Sequence, residues 1–135
     1  MNFRGILSTD IDQYWDVVSP MIQRALDKTE SAFCYNTSHI KEWIENQDHQ
    51  LWIAEDEEIE AAFVTSIIIF PKCKILEIPF VGGDKIEEWL PEAWETFKQY
   101  GRANDCICIR GYGRDGWTRV IKDSKTKHVL WDAPI

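Results

Sequence analysis

Lys74-Ile-Leu-Glu-Ile-Pro-Phe-Val-Gly-Gly-Asp-Lys85 decides the fold. The run reads as an apolar strand, Lys74 to Phe80, that opens through two glycines into a helix. Beyond Asp84 the apolar residues Ile86, Trp89, Leu90, Ala93, Trp94 and Phe97 recur at steps of three and four, one face of an amphipathic helix. Pro91 falls inside that pattern and predicts a kink, or a turn followed by a helix that starts there. Gly101 marks its end. Cys106-Ile-Cys-Ile-Arg110 then returns as a buried strand. This order leaves a helix N-terminus at the end of a buried strand, where free backbone N–H groups and the helix dipole can hold an anion.

Upstream, Leu51 to Glu55 and Glu60 to Phe70 read as strands joined by the charged turn Asp56-Glu57-Glu58, and Pro71-Lys72 turns the chain into Lys74 to Phe80. The three strands form an antiparallel meander. Ile67 to Phe70 is apolar on both faces, which predicts a central position or cover by another surface. Phe3 to Leu7 is a first strand. Thr9 or Asp10 can cap a helix with an apolar stripe of Ile11, Tyr14, Trp15, Val18, Met21, Ile22 and Leu26, in which Pro20 introduces a bend. Asn36-Thr37-Ser38 caps a short second helix that ends near Asn46. Downstream, Asp115 to Lys122 reads as a small helix and Lys127 to Trp131 as a last strand.

One domain is expected from 135 residues, of which 44% are hydrophobic and seven are Trp. A net charge of −8 argues against a nucleic-acid-binding face and leaves room for a cationic partner. The four cysteines, Cys34, Cys73, Cys106 and Cys108, lack Cys-x-x-Cys spacing, so free buried thiols in a reducing compartment are expected. His39, His49 and His128 share no metal-ligand spacing. No basic segment followed by an apolar stretch opens the chain, and no run approaches membrane-spanning length. Cytoplasm, or a particle assembled there, is the expected location.

The element order β-α-α-β-β-β-α-β-α-β resembles the acetyl-CoA-dependent N-acetyltransferase (GNAT) superfamily over almost the whole chain. Leu51-Trp-Ile-Ala-Glu-Asp-Glu-Glu-Ile-Glu-Ala-Ala-Phe63 looks like that family's second and third strands with an acidic hairpin between them. Val81-Gly82-Gly83, Glu88-Trp89-Leu90-Pro91 and Gly113-Arg-Asp-Gly-Trp-Thr-Arg-Val120 are similar to small acetyltransferase-like proteins of tailed bacteriophages, some of them internal or structural virion components. The resemblance implies one α/β (α+β) domain over residues 1–135, a mixed, mostly antiparallel central sheet flanked by helices. In active members the fourth strand leads into a basic Gln/Arg-x-x-Gly-x-Gly/Ala loop that wraps the cofactor's diphosphate. Here the matching residues are Val81, Gly82, Gly83, Asp84 and Lys85, without the Gly-x-Gly spacing or the leading basic residue. Asp84 reads as the helix N-cap, competing for the amides a diphosphate would use.

The resemblance also implies an acid near the leaving thiolate and a base at the amine. Tyr112 is the nearest acid candidate, though it precedes the Arg114-Asp115-Gly116-Trp117 turn rather than sitting on a helix; an aromatic anchor for that turn is the alternative. Glu55 and Glu77 lie on strands that line the family's substrate cleft. Strict alternation sets Lys74, Leu76, Ile78 and Phe80 on one face and Glu77 on the other, where it is either a base or a solvated residue. Arg110, Arg114 and Arg119, with Trp117, could grip a phosphate or carboxylate, or pair with Asp115 and Asp123. Trp52 and Trp131 are the tryptophans outside the helical stripes, and exposure of either would mark a partner surface.

The expectation drawn from the altered loop is a non-catalytic binding or structural component of phage type, possible in a virion, with protein partners or self-association and no cofactor. The alternative is an acetyl-CoA-dependent N-acetyltransferase acting on a small amine or protein lysine.

Overall fold

The computed structural model describes residues 2–29, 34–112, 121, 124–125 and 132–135. The expected helix at Asp115 to Lys122, the expected strand at Lys127 to Trp131, Arg114, Trp117, Arg119, His128 and Trp131 lie outside these residues or largely so.

The elements are β1 (Asn2–Ile6), a 3-10 turn (Ser8–Gln13), α1 (Trp15–Thr29), α2 (Thr37–Glu45), β2 (His49–Glu55), β3 (Ile59–Ile69), β4 (Lys74–Gly83), α3 (Ile86–Ala103) and β5 (Cys106–Gly111). The strands make one sheet in the order β1-β2-β3-β4-β5, antiparallel throughout except for the parallel pair β4–β5. This is the mixed, mostly antiparallel α/β architecture that the sequence predicts. The crossover needed by a parallel pair is α3.

Each sheet face carries its own core. On one, Ile11 of the 3-10 turn, Val18, Ile22 and Leu26 of α1, and Ile40 and Ile44 of α2 cover Leu51, Ile53, Ala62, Val64 and Phe80. On the other, Trp89, Ala93 and Phe97 of α3 cover Phe3, Trp52, Ala54, Phe63 and Leu76. Phe97 meets Phe3, Trp52 and Phe63 edge-on at 5.5, 5.3 and 5.8 Å, geometry in which ring edges meet ring faces. Trp52 is therefore a core residue and not a partner surface: it is 8% exposed, and its indole N–H donates to Thr65 Oγ1 at 2.8 Å, whose hydroxyl donates to Gln50 Oε1 at 2.9 Å.

Several local expectations change. The first helical stripe is split, because Ser8–Gln13 winds as a 3-10 turn and the α-helix starts only at Trp15, with no side chain capping the turn. Asn36 does cap α2: its side chain accepts from Ser38 N at 2.9 Å while His39 Nδ1 accepts from Asn36 N at 3.0 Å. Of the two alternatives at Pro91, the helix running through it holds: α3 begins at Ile86, contains Pro91 and continues past Gly101, its expected end, to Ala103, where the Asn104 side chain donates to the Tyr100 carbonyl at 2.8 Å. The strand β4 runs on through both glycines, which the sequence reading assigns to a loop. Finally, β5 is not a buried strand: Ile107 and Cys108 are exposed, as is Cys34.

Candidate active site at the end of the parallel strand pair

The parallel pairing of β4 with β5 runs from Lys74–Cys106 to Ile78–Gly111 and stops there, although β4 continues to Gly83. Among the described residues, the edge of Pro79 to Gly83 on that side has no strand partner. Against β3, β4 is irregular at the same level: Val64 pairs with Phe80 but Ser66 with Glu77, so β4 carries one extra residue in between. This bulge turns Phe80 to the α1/α2 face, while Leu76, Ile78 and Val81 face α3. Strict alternation through Phe80 is thus broken, but Glu77 does lie opposite Leu76 and Ile78.

Glu77, Arg110 and Tyr112 meet where the two strands part. Glu77 and Arg110 are register partners across β4–β5, and the Tyr112 hydroxyl lies beside the Glu77 carboxylate. Half-burial pushes the Glu77 carboxyl above its ordinary value; the Tyr112 hydroxyl and the Arg110 charge offset part of this. Burial and the neighbouring carboxylate raise the Tyr112 hydroxyl. Arg110 also lies over the Phe70 ring at 5.8 Å, which anchors its guanidinium on the hairpin between β3 and β4. The two sequence candidates, far apart in the chain, are thus brought side by side. Glu55 takes no part, being ion-paired to Arg4 at 3.5 Å at the opposite end of β2.

The double-glycine corner differs from its sequence reading. Asp84 does not cap α3. Its backbone N–H donates to the Glu60 carbonyl at 2.8 Å, the N-cap position is Lys85 in left-handed conformation (φ 57°), and no side chain caps this terminus. Lys85 is held by Glu60, Nζ to Oε1 at 3.1 Å. The glycines serve packing: a Cβ at Gly82 would collide with the Met21 carbonyl of α1, and one at Gly83 (φ +119°) with the Glu60 carbonyl of β3. Gly82 and Gly83 also line a small pocket of about 60 Å³ with Val81, Ile86 and, from α1, Arg24, Ala25 and Lys28. The basic residues missing from the loop therefore come from another helix. Their signal in the sequence was the four-residue spacing of Arg24 and Lys28, one turn apart on the polar side of the α1 stripe.

His49 is half-buried and stacks on Trp43 of α2, centroids 5.3 Å apart and 26° between planes. Burial lowers its imidazole below the ordinary value. Among the described residues no group of three His, Cys, Asp or Glu could hold a metal ion, and no helix is long and apolar enough to cross a membrane.

The fold recurs in known structures. The chain is similar to a "probable acetyltransferase" (TM-score 0.73, 8% identity, 100% of each chain covered). It is also similar to an aminoglycoside acetyltransferase from an uncultured soil metagenomic sample, solved in complex with sisomicin (TM-score 0.69, 9% identity, 99% of this chain and 95% of that one). A third is a predicted acetyltransferase with acetyl-CoA from Clostridium acetobutylicum (TM-score 0.66, 12% identity, 98% and 95%). These likenesses establish an acetyltransferase-like fold of GNAT type. No protein-family model matches the chain, and no curated protein does.

Proposed function

We propose that the protein is an acetyl-CoA-dependent N-acetyltransferase acting on an amine. One observation carries this reading: a half-buried carboxylate, a tyrosine hydroxyl and a guanidinium converge where β4 and β5 separate. Glu77 accepts the proton of the incoming ammonium. Its raised pKa brings its proton affinity nearer to that of a base working close to neutrality. Tyr112, released from Glu77 as the carboxylate gains that proton, is the donor toward the departing sulfur. Arg110 holds both groups in register.

The residues fit the coenzyme. The α3 terminus is uncapped by side chains, Arg24 and Lys28 flank it, and β4 beyond Ile78 offers backbone groups along its edge. When bound, acetyl-CoA supplies an activated acetyl group as a thioester. The sisomicin-bound neighbour is an acetyltransferase of aminoglycosides, which agrees with an amine acceptor here. Calorimetry with acetyl-CoA and thiol release in the presence of a panel of amines test the reading. Micromolar binding with turnover is expected, and E77Q should lower kcat by at least about a hundredfold, the usual contribution of a general base. Silence at millimolar acetyl-CoA overturns it.

A second reading has its own observation. Both glycines are consumed by contacts with the protein's own backbone, as in a corner kept for packing alone. The chain would then be a non-catalytic binding or structural component, of the kind found among phage virion proteins, acting through protein partners or self-association in the host cytoplasm or the particle. Co-purification with a multi-subunit particle, together with no binding of acetyl-CoA, is its signature.

A further inference from the structure

Four polar residues stand in line across the sheet. His49 of β2 pairs with Ser66 of β3, Ser66 with Glu77 of β4, and Glu77 with Arg110 of β5. Directly paired residues share a face, so the row lies on the side covered by α1 and α2, in a surface otherwise made of Leu51, Val64 and Phe80. The row is largely sheltered. Ser66 is 4% exposed, and the Nδ1 atom of His49 is buried with no hydrogen-bond partner among the described residues. Such an atom is costly to bury unless something bonds to it. The imidazole is also held in place: Trp43 stacks on it, and Tyr35 meets Trp43 and Phe80 edge-on at 5.2 and 5.8 Å, giving an aromatic wall beside the row.

We propose that the row His49–Ser66–Glu77 recognises the acceptor: a primary alkyl amine with a second hydrogen-bonding group lies along it, nitrogen at Glu77 and second group at Ser66 and His49. The proposal rests on the transferase reading and names that enzyme's substrate class. Strands lie about 4.8 Å apart, so two steps put His49 about 10 Å from Glu77 between strand axes. With side chains leaning inward, that distance suits a polar group about six bonds from the amine. The alkyl segment between them lies against the aromatic wall. Arg110 closes the other end, since a positive charge beyond Glu77 repels an ammonium and fixes which way the acceptor points. The neutral imidazole, its charged form disfavoured by burial, accepts from a hydroxyl or a second ammonium.

The test uses the full chain, acetyl-CoA and three acceptors: pentylamine, 5-amino-1-pentanol and cadaverine. The wild type should favour the two bifunctional amines by about tenfold or more in kcat/KM, since pentylamine leaves a buried polar group unpaired. S66A and H49F should erase the preference by raising KM for the bifunctional amines. H49Q, which keeps an acceptor, should restore part of it. Cadaverine added without acetyl-CoA should shift the His49 ring signals in the NMR spectrum, a readout that stands even if H49F fails to fold. Equal turnover of all three amines, unchanged in S66A, together with unmoved His49 signals, overturns the inference and leaves the transferase standing. No acetyl transfer to any amine and no binding of acetyl-CoA overturns the transferase and this inference together.

Discussion

Glu77 is a half-buried carboxyl whose pKa lies above its ordinary value, with desolvation as the main cause. In the unfolded chain the same group titrates in the ordinary range, so between the two values the folded state holds more protons. Stability then falls as pH rises through that window. E77Q removes the group that titrates. We expect its melting temperature to exceed that of the wild type at pH 7 and the gain to vanish toward pH 4, as followed by circular dichroism at several pH values. The same carboxyl must be deprotonated to take a proton from an amine. The acid limb of kcat/KM should therefore fall above the usual carboxylate range and disappear in E77Q together with about two or more orders of magnitude of rate. A variant both more stable and less active marks a residue kept for chemistry rather than for folding.

At the scale of elements, the contact between α1 and β4 sets the corner where the coenzyme's phosphates would lie. Gly82 lets the Met21 carbonyl approach the strand closely, and backbone cannot swing aside as a flexible side chain can. Gly82→Ala should cost about 3 kcal/mol or more in urea unfolding, at the upper end for overpacking. By contrast Asn36→Ala, which removes the α2 cap, should cost about 1 kcal/mol. The cap was legible because Asn-Thr-Ser before an apolar stripe is a local signal, and the strands of the meander were legible through alternation and turns. The split before α1 and the bulge in β4 were not. Each depends on how one element fits its neighbour, and periodicity within a segment holds no record of that. The candidate site followed the same division. Glu77 and Tyr112 were visible as residues, yet their contact required knowing that β4–β5 pairing ends at Ile78–Gly111. The reading of Asp84 as a cap failed because the chain turns left-handed at Lys85, so its amide, rather than its carboxylate, is engaged.

Across the whole molecule, the net charge of −8 acts in opposite directions on the two proposed substrates. A cationic amine is drawn toward the protein, whereas an anionic coenzyme is repelled unless local cations reverse the field. Arg24 and Lys28, which flank the Gly82–Gly83 pocket, are the cations positioned to do so. R24E/K28E should therefore weaken acetyl-CoA binding by about tenfold or more in calorimetry, roughly 1.4 kcal/mol. Both side chains are exposed, so melting should change little. Salt separates the two effects. The Debye length falls from about 30 Å at 0.01 M to about 3 Å at 1 M, which screens the distant acidic surface more than close contacts. Raising the salt should increase KM for cadaverine several-fold while leaving that for a neutral hydroxylamine-type acceptor nearly constant. If instead both rise together, the long-range field is not what gathers the acceptor, and the acidic surface serves some other purpose.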